Sequence, residues 1–268
     1  MAILDYQAIK FDGTSSKNRL DALSVEEGLQ VKVNGEPLMI TMRSPGNDAE
    51  LVRGLLHSED ILPTTNEDVE IIVESKNKQG VVPVVNVNIP EDKLGDGYKN
   101  SRSFLSVSSC GICGQTELQE VKGELEKKGK FNPLDLKHMF ELMDGKQKTF
   151  RKSGGSHAAA AFDEKGEMIC VMEDIGRHNA VDKVIGKLLL KKQLNRAFAI
   201  TVSGRISYEI VMKAFRAKIP VLAAVSAPSS LAVDYSKELG ITLFGFCRGE
   251  NATCYSNMHR VNPVDQTK

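Results

Sequence analysis

The sequence predicts an α/β protein, α+β in overall character, from two patterns. After residue 149, apolar runs of strand length alternate with amphipathic helical segments, which is typical of a mostly parallel sheet covered by helices on both faces. The first third of the chain instead places two β-like runs around Asn34 and Gly35, a pair that favours a tight hairpin. We therefore expect a smaller N-terminal α+β domain over residues 1–115 and a three-layer domain over residues 116–268.

The N-terminal domain is predicted to combine one helix with an antiparallel sheet. Its expected segments are an arm with a first strand over residues 1–24, hairpin strands over 29–33 and 37–42, a helix from residue 47, and strands over 69–73 and 81–89. The helix has an apolar face made by Leu51, Val52, Leu55 and Leu56. Pro83 cannot donate to a strand ladder, so we expect the strand over 81–89 to lie at an edge.

The second domain is predicted to begin with two helices and to continue as alternating strands and helices. Helices are expected over residues 115–130, 132–145, 180–190, 208–219 and 231–239, and strands over 158–162, 168–172, 197–202, 221–225 and 241–246. The first helix is highly charged and keeps one narrow apolar stripe. Pro133 and Gly145 are residue types that begin and end a helix.

Composition narrows the possible functions. The 268 residues include 35 basic and 35 acidic side chains, so the net charge favours neither a nucleic-acid partner nor an anionic membrane. The first residues lack the features of an export signal, and no apolar run reaches the roughly 20 residues that span a bilayer. Five cysteines are an odd number, which argues against a disulfide framework. We therefore expect a cytoplasmic protein with reduced thiols.

Polar residues collect at the predicted strand-to-helix junctions of the second domain. Ligands bind beyond the carboxyl ends of parallel strands, where helix N-termini offer free N–H groups, and guanidinium groups there suit phosphate oxygens. Small polar residues are also ordinary helix caps, but here several junctions carry them together. The sequence therefore predicts a pocket for a phosphate-bearing ligand, with candidates Arg177, His178, Ser203, Arg205, Ser226, Ser229, Cys247, Arg248, Gly249, Glu250 and Asn251.

Two histidines lie among these loops. His178 stands at a predicted helix start beside Arg177, and we interpret it as an acid/base group or a ligand contact. His157 is equally consistent with a ligand contact and with a side chain that ties loops together. Cys170 lies in an apolar run and is predicted to be a buried core thiol.

The strongest chemical signal is the pair Cys110 and Cys113 in Ser-Ser-Cys-Gly-Ile-Cys-Gly. The glycine after each cysteine permits a tight turn and brings backbone N–H groups toward a thiolate. An accessible and activated pair of thiols is therefore expected. A zinc ion, dithiol redox chemistry and the carriage of sulfur as a persulfide are the chemistries to compare.

The residues weigh against a zinc ion and leave two of these chemistries open. A structural zinc ion needs two more Cys or His ligands at suitable spacing, and the chain has no second Cys-X-X-Cys. A deaminase zinc site needs His-X-Glu and Pro-Cys-X-X-Cys, whereas Ala180 and Ser109 stand in place of the acid and the proline. We expect no metal. A redox pair lacks its usual βαβ context, and a persulfide carrier needs a second thiol nearby, but the residues alone do not rank these two.

Six segments, in chain order, carry a resemblance to a known family. They are Ser-Ser-Cys-Gly-Ile-Cys-Gly, Gly-Gly-Ser-His-Ala-Ala-Ala, Glu-Asp-Ile-Gly-Arg-His-Asn-Ala-Val-Asp-Lys, Ser-Gly-Arg-Ile-Ser-Tyr-Glu-Ile-Val, Ala-Ala-Val-Ser-Ala-Pro-Ser-Ser-Leu-Ala and Gly-Phe-Cys-Arg-Gly. Together they resemble the formate dehydrogenase accessory sulfurtransferases, the FdhD family. The similarity runs from residue 35 to residue 255 and so covers most of the chain.

The resemblance implies a cytoplasmic, homodimeric sulfurtransferase. Such an enzyme takes sulfur from a cysteine desulfurase as a persulfide on Cys110, with Cys113 assisting. It passes the sulfur to the molybdenum cofactor, in its bis-molybdopterin guanine dinucleotide form, before insertion into formate dehydrogenase. The resemblance also implies a cytidine-deaminase-like fold for the second domain. It assigns contacts with the guanine dinucleotide to Phe246, Cys247, Arg248, Gly249, Glu250 and Asn251, and leaves the roles of the additional thiols Cys247 and Cys254 open.

Two other classes compete with this expectation. One is a chaperone that binds the cofactor but carries no sulfur, and the other is a zinc-dependent hydrolase related to the deaminases. Sulfur that cyanide releases from the protein distinguishes the carrier from the chaperone. Stoichiometric zinc in the purified protein would favour the hydrolase.

Overall fold

The computed structural model describes residues 2–66, 69–73, 83–101, 106–107, 123–125 and 129–263. The strands of these residues form sheets of two, five and six strands. The expected domain boundary after residue 115 lies outside the described residues, as does most of the helix predicted over 115–130. The described parts of that segment, residues 123–125 and 129–130, are not helical.

The chain begins with a hairpin of two long strands, β1 (Ile3–Asp12) and β2 (Ser15–Ser24), which pair antiparallel along their whole length. The sequence predicted only one strand here. Gly13 and Thr14 form the turn between the two strands, and Gly13 has φ +59°, a conformation that favours glycine. Neither strand shows strong hydrophobic alternation because both lie largely in solvent.

The N-terminal unit contains two helices and a sheet of five strands. Its elements are β3 (Glu27–Val33), β4 (Glu36–Arg43), α1 (Asp48–Ser58), β5 (Glu70–Val73), β6 (Val84–Asn88), α2 (Asp96–Ser101) and β7 (Ser106–Val107), with the sheet order β5-β6-β3-β4-β7. The hairpin at Asn34 and the helix after Asn47 are confirmed. The core joins side chains of β3, β6 and α1, among them Leu29, Val31, Leu51, Leu56 and Val87.

Two expectations for this sheet are wrong. It is mixed rather than antiparallel, because β3 pairs parallel with β6 and β4 pairs parallel with β7. In addition, β6 lies inside the sheet, between β5 and β3. Pro83 does not prevent this because it precedes the first residue of β6, and its carbonyl accepts a hydrogen bond from the N–H of Gln30.

The second unit is built on a sheet of six strands. Its elements are α3 (Asp135–Lys146), α4 (Lys148–Ser153), β8 (His157–Phe162), β9 (Met168–Asp174), α5 (Arg177–Leu190), β10 (Ala199–Val202), α6 (Tyr208–Arg216), β11 (Val221–Ala224), α7 (Ser230–Glu238), β12 (Thr242–Arg248) and β13 (Asn251–Ser256). The sheet order is β13-β12-β11-β10-β8-β9. Strand β13 was not predicted.

The three-layer arrangement is confirmed, because one core lies on each face of this sheet. Helices α5, α6 and α7 cover one face, where Val184, Val211 and Ala232 pack on the strands. Helix α3 covers the other face through Met139 and Met143. Alternate residues of the strands serve the two cores, as expected for strands that are buried on both sides.

The sheet is mixed, so the expectation of a mostly parallel sheet is wrong. Only β10–β11 and β11–β12 are parallel pairs, whereas β8 pairs antiparallel with β9 and β10, and β12 pairs antiparallel with β13. The β8–β9 and β12–β13 connections are short turns, and a short turn can only join antiparallel neighbours. Parallel pairing is confined to strands that are joined through a helix.

The two units dock through α1 and α5. A Cβ atom on Gly54 would lie 1.9 Å from the carbonyl oxygen of Asp182, and one on Gly186 would lie 1.8 Å from the carbonyl oxygen of Glu50. Only glycine permits so close an approach of two helix backbones. At the far end of α1, Lys213 of α6 lies 2.9 Å from both carboxylate oxygens of Asp182, and Ser58 donates to the same carboxylate at 2.7 Å.

A second buried cluster joins the units at the end of β4. Asp174 is fully buried and its carboxylate lies 2.6 Å from the ammonium of Lys183. The backbone N–H of Ser44 donates to Asp174 at 3.1 Å, and Lys183 donates to the carbonyl of Ser44 at 3.0 Å. Asn179 donates to both Asp174 and the carbonyl of Met42. Asp174, Asn179 and Lys183 of the Glu-Asp-Ile-Gly-Arg-His-Asn-Ala-Val-Asp-Lys motif therefore fasten the units together, a role that the sequence did not reveal.

Candidate cofactor-binding site

Most of the predicted ligand residues lie along one edge of the six-stranded sheet. The register pairs His157 with Asp174 and Val202 with both Ala159 and Ala224. The start of β8 and the carboxyl ends of β9, β10 and β11 therefore lie side by side. We call the group that follows these strand ends, together with the end of β12, the rim; it comprises Arg177, Ser203, Arg205, Ser226, Phe246 and Arg248.

Backbone hydrogen bonds tie the rim loops into one surface. The N–H of Ile206 donates to the carbonyl of Ala227 at 3.2 Å, and the N–H of Ser229 donates back to the carbonyl of Ile206 at 2.9 Å. The N–H of Phe246 donates to the carbonyl of Ser226 at 3.2 Å. The loops after β10 and β11 and the end of β12 are thus held at fixed positions relative to one another.

Three arginines of the rim have no carboxylate partner within the part of the chain that the structure describes. The Nε atom of Arg177 is buried without a hydrogen-bond partner, and Arg205 is exposed. Arg248 donates from Nε to the carbonyl of Val225 at 3.1 Å, which directs the guanidinium while its two other nitrogens stay available. Guanidinium groups without a carboxylate partner suit an anion such as phosphate.

The pKa of His157 reflects both its burial and the positive charges of the rim. Burial lowers the pKa of His157, and the charges of Arg177, His178 and Arg205 lower it further. The hydroxyl of Ser203 accepts a hydrogen bond from the N–H of Ala158 at 2.9 Å and lies 3.4 Å from Nδ1 of His157. A neutral imidazole and a hydroxyl therefore stand among the arginines, where both can donate to an anion.

His178 is held by two residues that the sequence did not single out. Its Nε2 lies 2.9 Å from the carboxylate of Glu209 and 3.1 Å from the hydroxyl of Ser207. Burial alone would raise the pKa of Glu209, but the hydrogen bond and the charge of His178 outweigh it and lower the pKa. One nitrogen of His178 thus ties α5 to α6. The signal in the sequence was Ser207 followed by Glu209 at the start of a helix.

The segment over residues 246–251 lies partly on the rim and partly below the sheet. Phe246 sits in a β-bulge with φ +53°, and its side chain is 44% exposed. A Cβ atom on Gly245 would lie 2.7 Å from Pro228, so glycine is required beneath the bulge. Phe246 and Arg248 face the loop after β11. A positive φ at a non-glycine residue and an exposed aromatic ring make Phe246 a candidate for a functional role.

The other residues of this segment point toward α3. Cys247 is 4% exposed and belongs to the core beneath α3, and burial raises its pKa to about 12. Together with Gly249 it lines a cleft of about 360 Å³ beside α3. Glu250 forms an ion pair with Lys137 of that helix, while exposed Asn251 opens β13 opposite Arg248. Cys247, Gly249 and Glu250 are therefore set apart from the rim.

The two serines of the loop after β11 serve the fold as well. The hydroxyl of Ser229 caps α7 by accepting from the N–H of Ala232 at 3.2 Å, as the alternative reading of these loops predicts. The backbone carbonyl of Ser226 accepts a hydrogen bond from the N–H of Phe246. Of these two serines, Ser226 contributes directly to the shape of the rim.

The cysteines separate into two groups. Cys110 and Cys113 lie outside the described residues. Cys170 is buried in the core, as predicted, and burial raises its pKa to about 11. Burial also raises the pKa of Cys254, which packs near Cys247. At neutral pH, Cys170, Cys247 and Cys254 are therefore protonated and poorly nucleophilic.

Over the described ranges, no group of three or more His, Cys, Asp or Glu side chains is arranged to hold a metal ion. Among the helices in the same ranges, none is long and apolar enough to cross a membrane.

Comparison with known proteins identifies the family. A sequence profile of the FdhD/NarQ family matches residues 24–262. The sulfur carrier protein FdhD of Streptomyces avermitilis is 41% identical over 266 residues, which cover 93% of this chain and 92% of the relative. The protein of the same name from Sulfolobus acidocaldarius is 40% identical over 243 residues, covering 90% and 92%.

A solved structure has the same fold. The crystal structure of a formate dehydrogenase accessory protein from Desulfotalea psychrophila superposes with a TM-score of 0.76 at 19% sequence identity, over 98% of this chain and 100% of that one. Fold and site together define an α/β protein with an arginine-lined rim at one edge of a mixed sheet. The chain belongs to the FdhD/NarQ family, which confirms the resemblance found in its motifs.

Proposed function

We propose that the protein is a sulfur carrier that supports the maturation of formate dehydrogenase. It takes sulfur from a cysteine desulfurase as a persulfide and transfers it to the molybdenum cofactor, in its bis-molybdopterin guanine dinucleotide form, before the cofactor enters the enzyme. The names of the curated relatives support sulfur carriage. The single observation that carries the proposal is the rim, where three arginines without carboxylate partners in the described chain and the exposed ring of Phe246 lie along one edge of the sheet.

Cys110 and Cys113 are the thiols proposed for the sulfur chemistry. The Cys110 thiolate attacks the outer sulfur of the donor's cysteine persulfide, the S–S bond of the donor breaks, and the donor cysteine leaves as a thiolate. Cys113 then assists the release of the carried sulfur. The other three cysteines suit this role poorly because burial raises the pKa of each of them.

The direction of β7 supports a meeting of thiol and rim. Strand β7 runs parallel to β4, with Val107 opposite Ile40, and β4 leads to Ser44, which bonds to Asp174 beside the start of α5. Cys110 follows Val107 by three residues, a length of chain that reaches at most about 10 Å.

The rim suits the guanine dinucleotide part of the cofactor. Guanidinium groups bind phosphate oxygens in pairs of hydrogen bonds, so Arg177, Arg205 and Arg248 are assigned to the phosphates. A purine ring stacks on an exposed aromatic side chain, which is the role assigned to Phe246. The order of helices and strands in the second unit supports a cytidine-deaminase-like arrangement. A cytoplasmic homodimer completes the proposal.

Cys110→Ala is expected to abolish the loading of sulfur. After incubation with a cysteine desulfurase and cysteine, the wild type should carry cyanide-labile sulfur and the variant essentially none. Burial raises the pKa of Cys170, Cys247 and Cys254, and the proposal gives Cys113 only an assisting role. Intact-mass measurement checks this. Cys170→Ala is the matched control and should load sulfur like the wild type, since it removes a buried core thiol.

The same measurement separates the alternatives. Full loading of the Cys110→Ala variant would contradict the proposal. A wild-type protein that binds the cofactor but never carries sulfur would instead be a chaperone, and stoichiometric zinc would indicate a hydrolase.

Arg248→Ala is expected to weaken the binding of GDP about tenfold or more, because a charge-assisted contact with phosphate is lost. Isothermal titration calorimetry with GDP, which represents the nucleotide end of the cofactor, provides the test. Arg196→Ala is the control, since Arg196 is an exposed arginine that faces Asp163 away from the rim. An unchanged GDP affinity for Arg248→Ala would remove Arg248 from the site.

A further inference from the structure

The N-terminal hairpin is a two-stranded sheet that exposes apolar side chains. Among the described strands, neither β1 nor β2 pairs with any strand except the other. Leu4, Tyr6, Ile9, Phe11, Leu20 and Leu23 are between 45% and 75% exposed. A lone hairpin is at best marginally stable in water, and its edges offer unpaired N–H and C=O groups. The hairpin also lies before residue 24, where the match to the family profile begins.

We propose that this hairpin binds the hairpin of a second copy of the chain, through the outer edge of β2. In this arrangement the two β2 strands pair antiparallel across a two-fold axis that passes between the two Leu20 residues. The result is a four-stranded sheet, which is large enough to be stable with an apolar face. The inference gives the proposed homodimer its interface, and it does not depend on sulfur transfer.

The charges of β2 favour this register. A two-fold axis normal to the sheet pairs residues whose side chains lie on the same face. With Leu20 opposite its own copy, Arg19 of each chain lies opposite Asp21 of the other. Arg19 and Asp21 already form an ion pair within one chain, and their side chains are 42% and 41% exposed. In the dimer, Arg19 and Asp21 of both chains therefore form a group of four charges that alternate in sign. All four side chains are accessible to solvent in the single chain.

The edge of β1 offers no comparable match. Asp5 and Lys10 of β1 lie on opposite faces of the hairpin, because side chains alternate along a strand. A two-fold axis therefore cannot place one opposite the other. Lys10 can lie opposite Asp12 only in a register that overlaps the last three residues of the strand. The self-complementary edge is that of β2.

The same pairing of the two β2 strands also brings apolar side chains of both copies together on one face of the sheet. Register within the hairpin places Leu20 opposite Gln7, with Ile9 opposite Asn18 and Phe11 opposite Ser16. Ile9, Phe11 and Leu20 therefore share one face, and the two-fold axis joins the face of one copy to that of the other. Like charges directly opposite each other on such a sheet are destabilising, and opposite charges are stabilising.

Charge reversal tests the proposed interface in the full-length chain. In sedimentation velocity experiments the wild type should be a dimer, whereas Arg19→Asp and Asp21→Arg should each dissociate with a constant at least about tenfold higher, because like charges then face each other. An equimolar mixture of the two variants should form dimers again, since the carboxylates of one face the guanidinium groups of the other. Asp5→Arg, on β1, is the control and should remain dimeric.

The mixture separates the interface from local effects on the hairpin. Both variants lose the ion pair within the chain, so damage to the fold alone cannot produce rescue on mixing. A dimer that survives in every variant would overturn the proposal, and so would a monomeric wild type whose hairpin binds formate dehydrogenase instead. Sulfur loading of Arg19→Asp should equal that of the wild type, so the failure of either proposal is recognised separately.

Discussion

Asp174→Ala is expected to lower the free energy of unfolding by about 3–5 kcal/mol. The carboxylate is fully buried and lies 2.6 Å from Lys183, which is itself 1% exposed. It also accepts hydrogen bonds from the N–H groups of Ser44 and Gly176. Its removal leaves a buried ammonium without its counter-charge and several donors without an acceptor. Urea-induced unfolding, followed by circular dichroism, measures the change.

An exposed ion pair provides the control for this prediction. Asp144 pairs with Arg151 at 3.2 Å, but the two side chains are 64% and 57% exposed. Asp144→Ala should therefore cost less than about 1 kcal/mol. Equal losses in the two variants would show that burial of the Asp174 cluster does not matter. Because this cluster joins β4 to the start of α5, Asp174→Ala should also weaken the binding of GDP at the rim.

The stability of the protein is expected to fall at acid pH, in part through His57. The pKa of His57 is lowered from 6.5 to about 4, first by burial and then by the charge of Arg53. Its Nε2 lies 3.2 Å from the carbonyl of Arg216, to which it donates, and its buried Nδ1 has no partner among the described atoms. A second proton on the ring would therefore be buried beside a positive charge, which disfavours the charged form.

The sign of the effect follows from proton binding. Between pH 6.5 and about 4 the unfolded chain binds a proton at this histidine that the folded protein does not. Stability therefore decreases as the pH falls through this window, by about 3 kcal/mol in total for this group. Above pH 6.5 the group makes no difference. Unfolding by urea at a series of pH values measures the decline.

His57→Gln isolates the contribution of the histidine. Glutamine can still donate to the carbonyl of Arg216 but does not titrate, so the variant should lose clearly less stability than the wild type between pH 6.5 and 4. Carboxylates with lowered pKa values, such as Glu209, should leave both proteins with a shared decline at lower pH. Identical pH profiles for the variant and the wild type would contradict the assignment.

Local pattern was sufficient to predict most elements and the position of the rim. The hairpin at Asn34 and Gly35, the apolar face of α1 and the alternating elements after residue 149 depend on periodicity and turn chemistry within a few residues. Arg177, Arg205 and Arg248 could be assigned to one edge because the carboxyl ends of neighbouring parallel strands lie together. The motifs of the sequence added the family and the roles proposed for Cys110 and Cys113.

Tertiary structure alone decided how these elements serve the site. The partners of Asp174 and Asn179 at residues 42 and 44 lie more than 100 positions away in the chain, so no local pattern reveals that this motif fastens two units. The burial of Cys247 and the exposure of Phe246, its neighbour, depend on a bulge and on packing against α3 and Pro228. Sequence determined which chemical groups the protein has, because propensity and alternation are local. Packing between distant segments determined which groups are exposed to a ligand and which hold the fold.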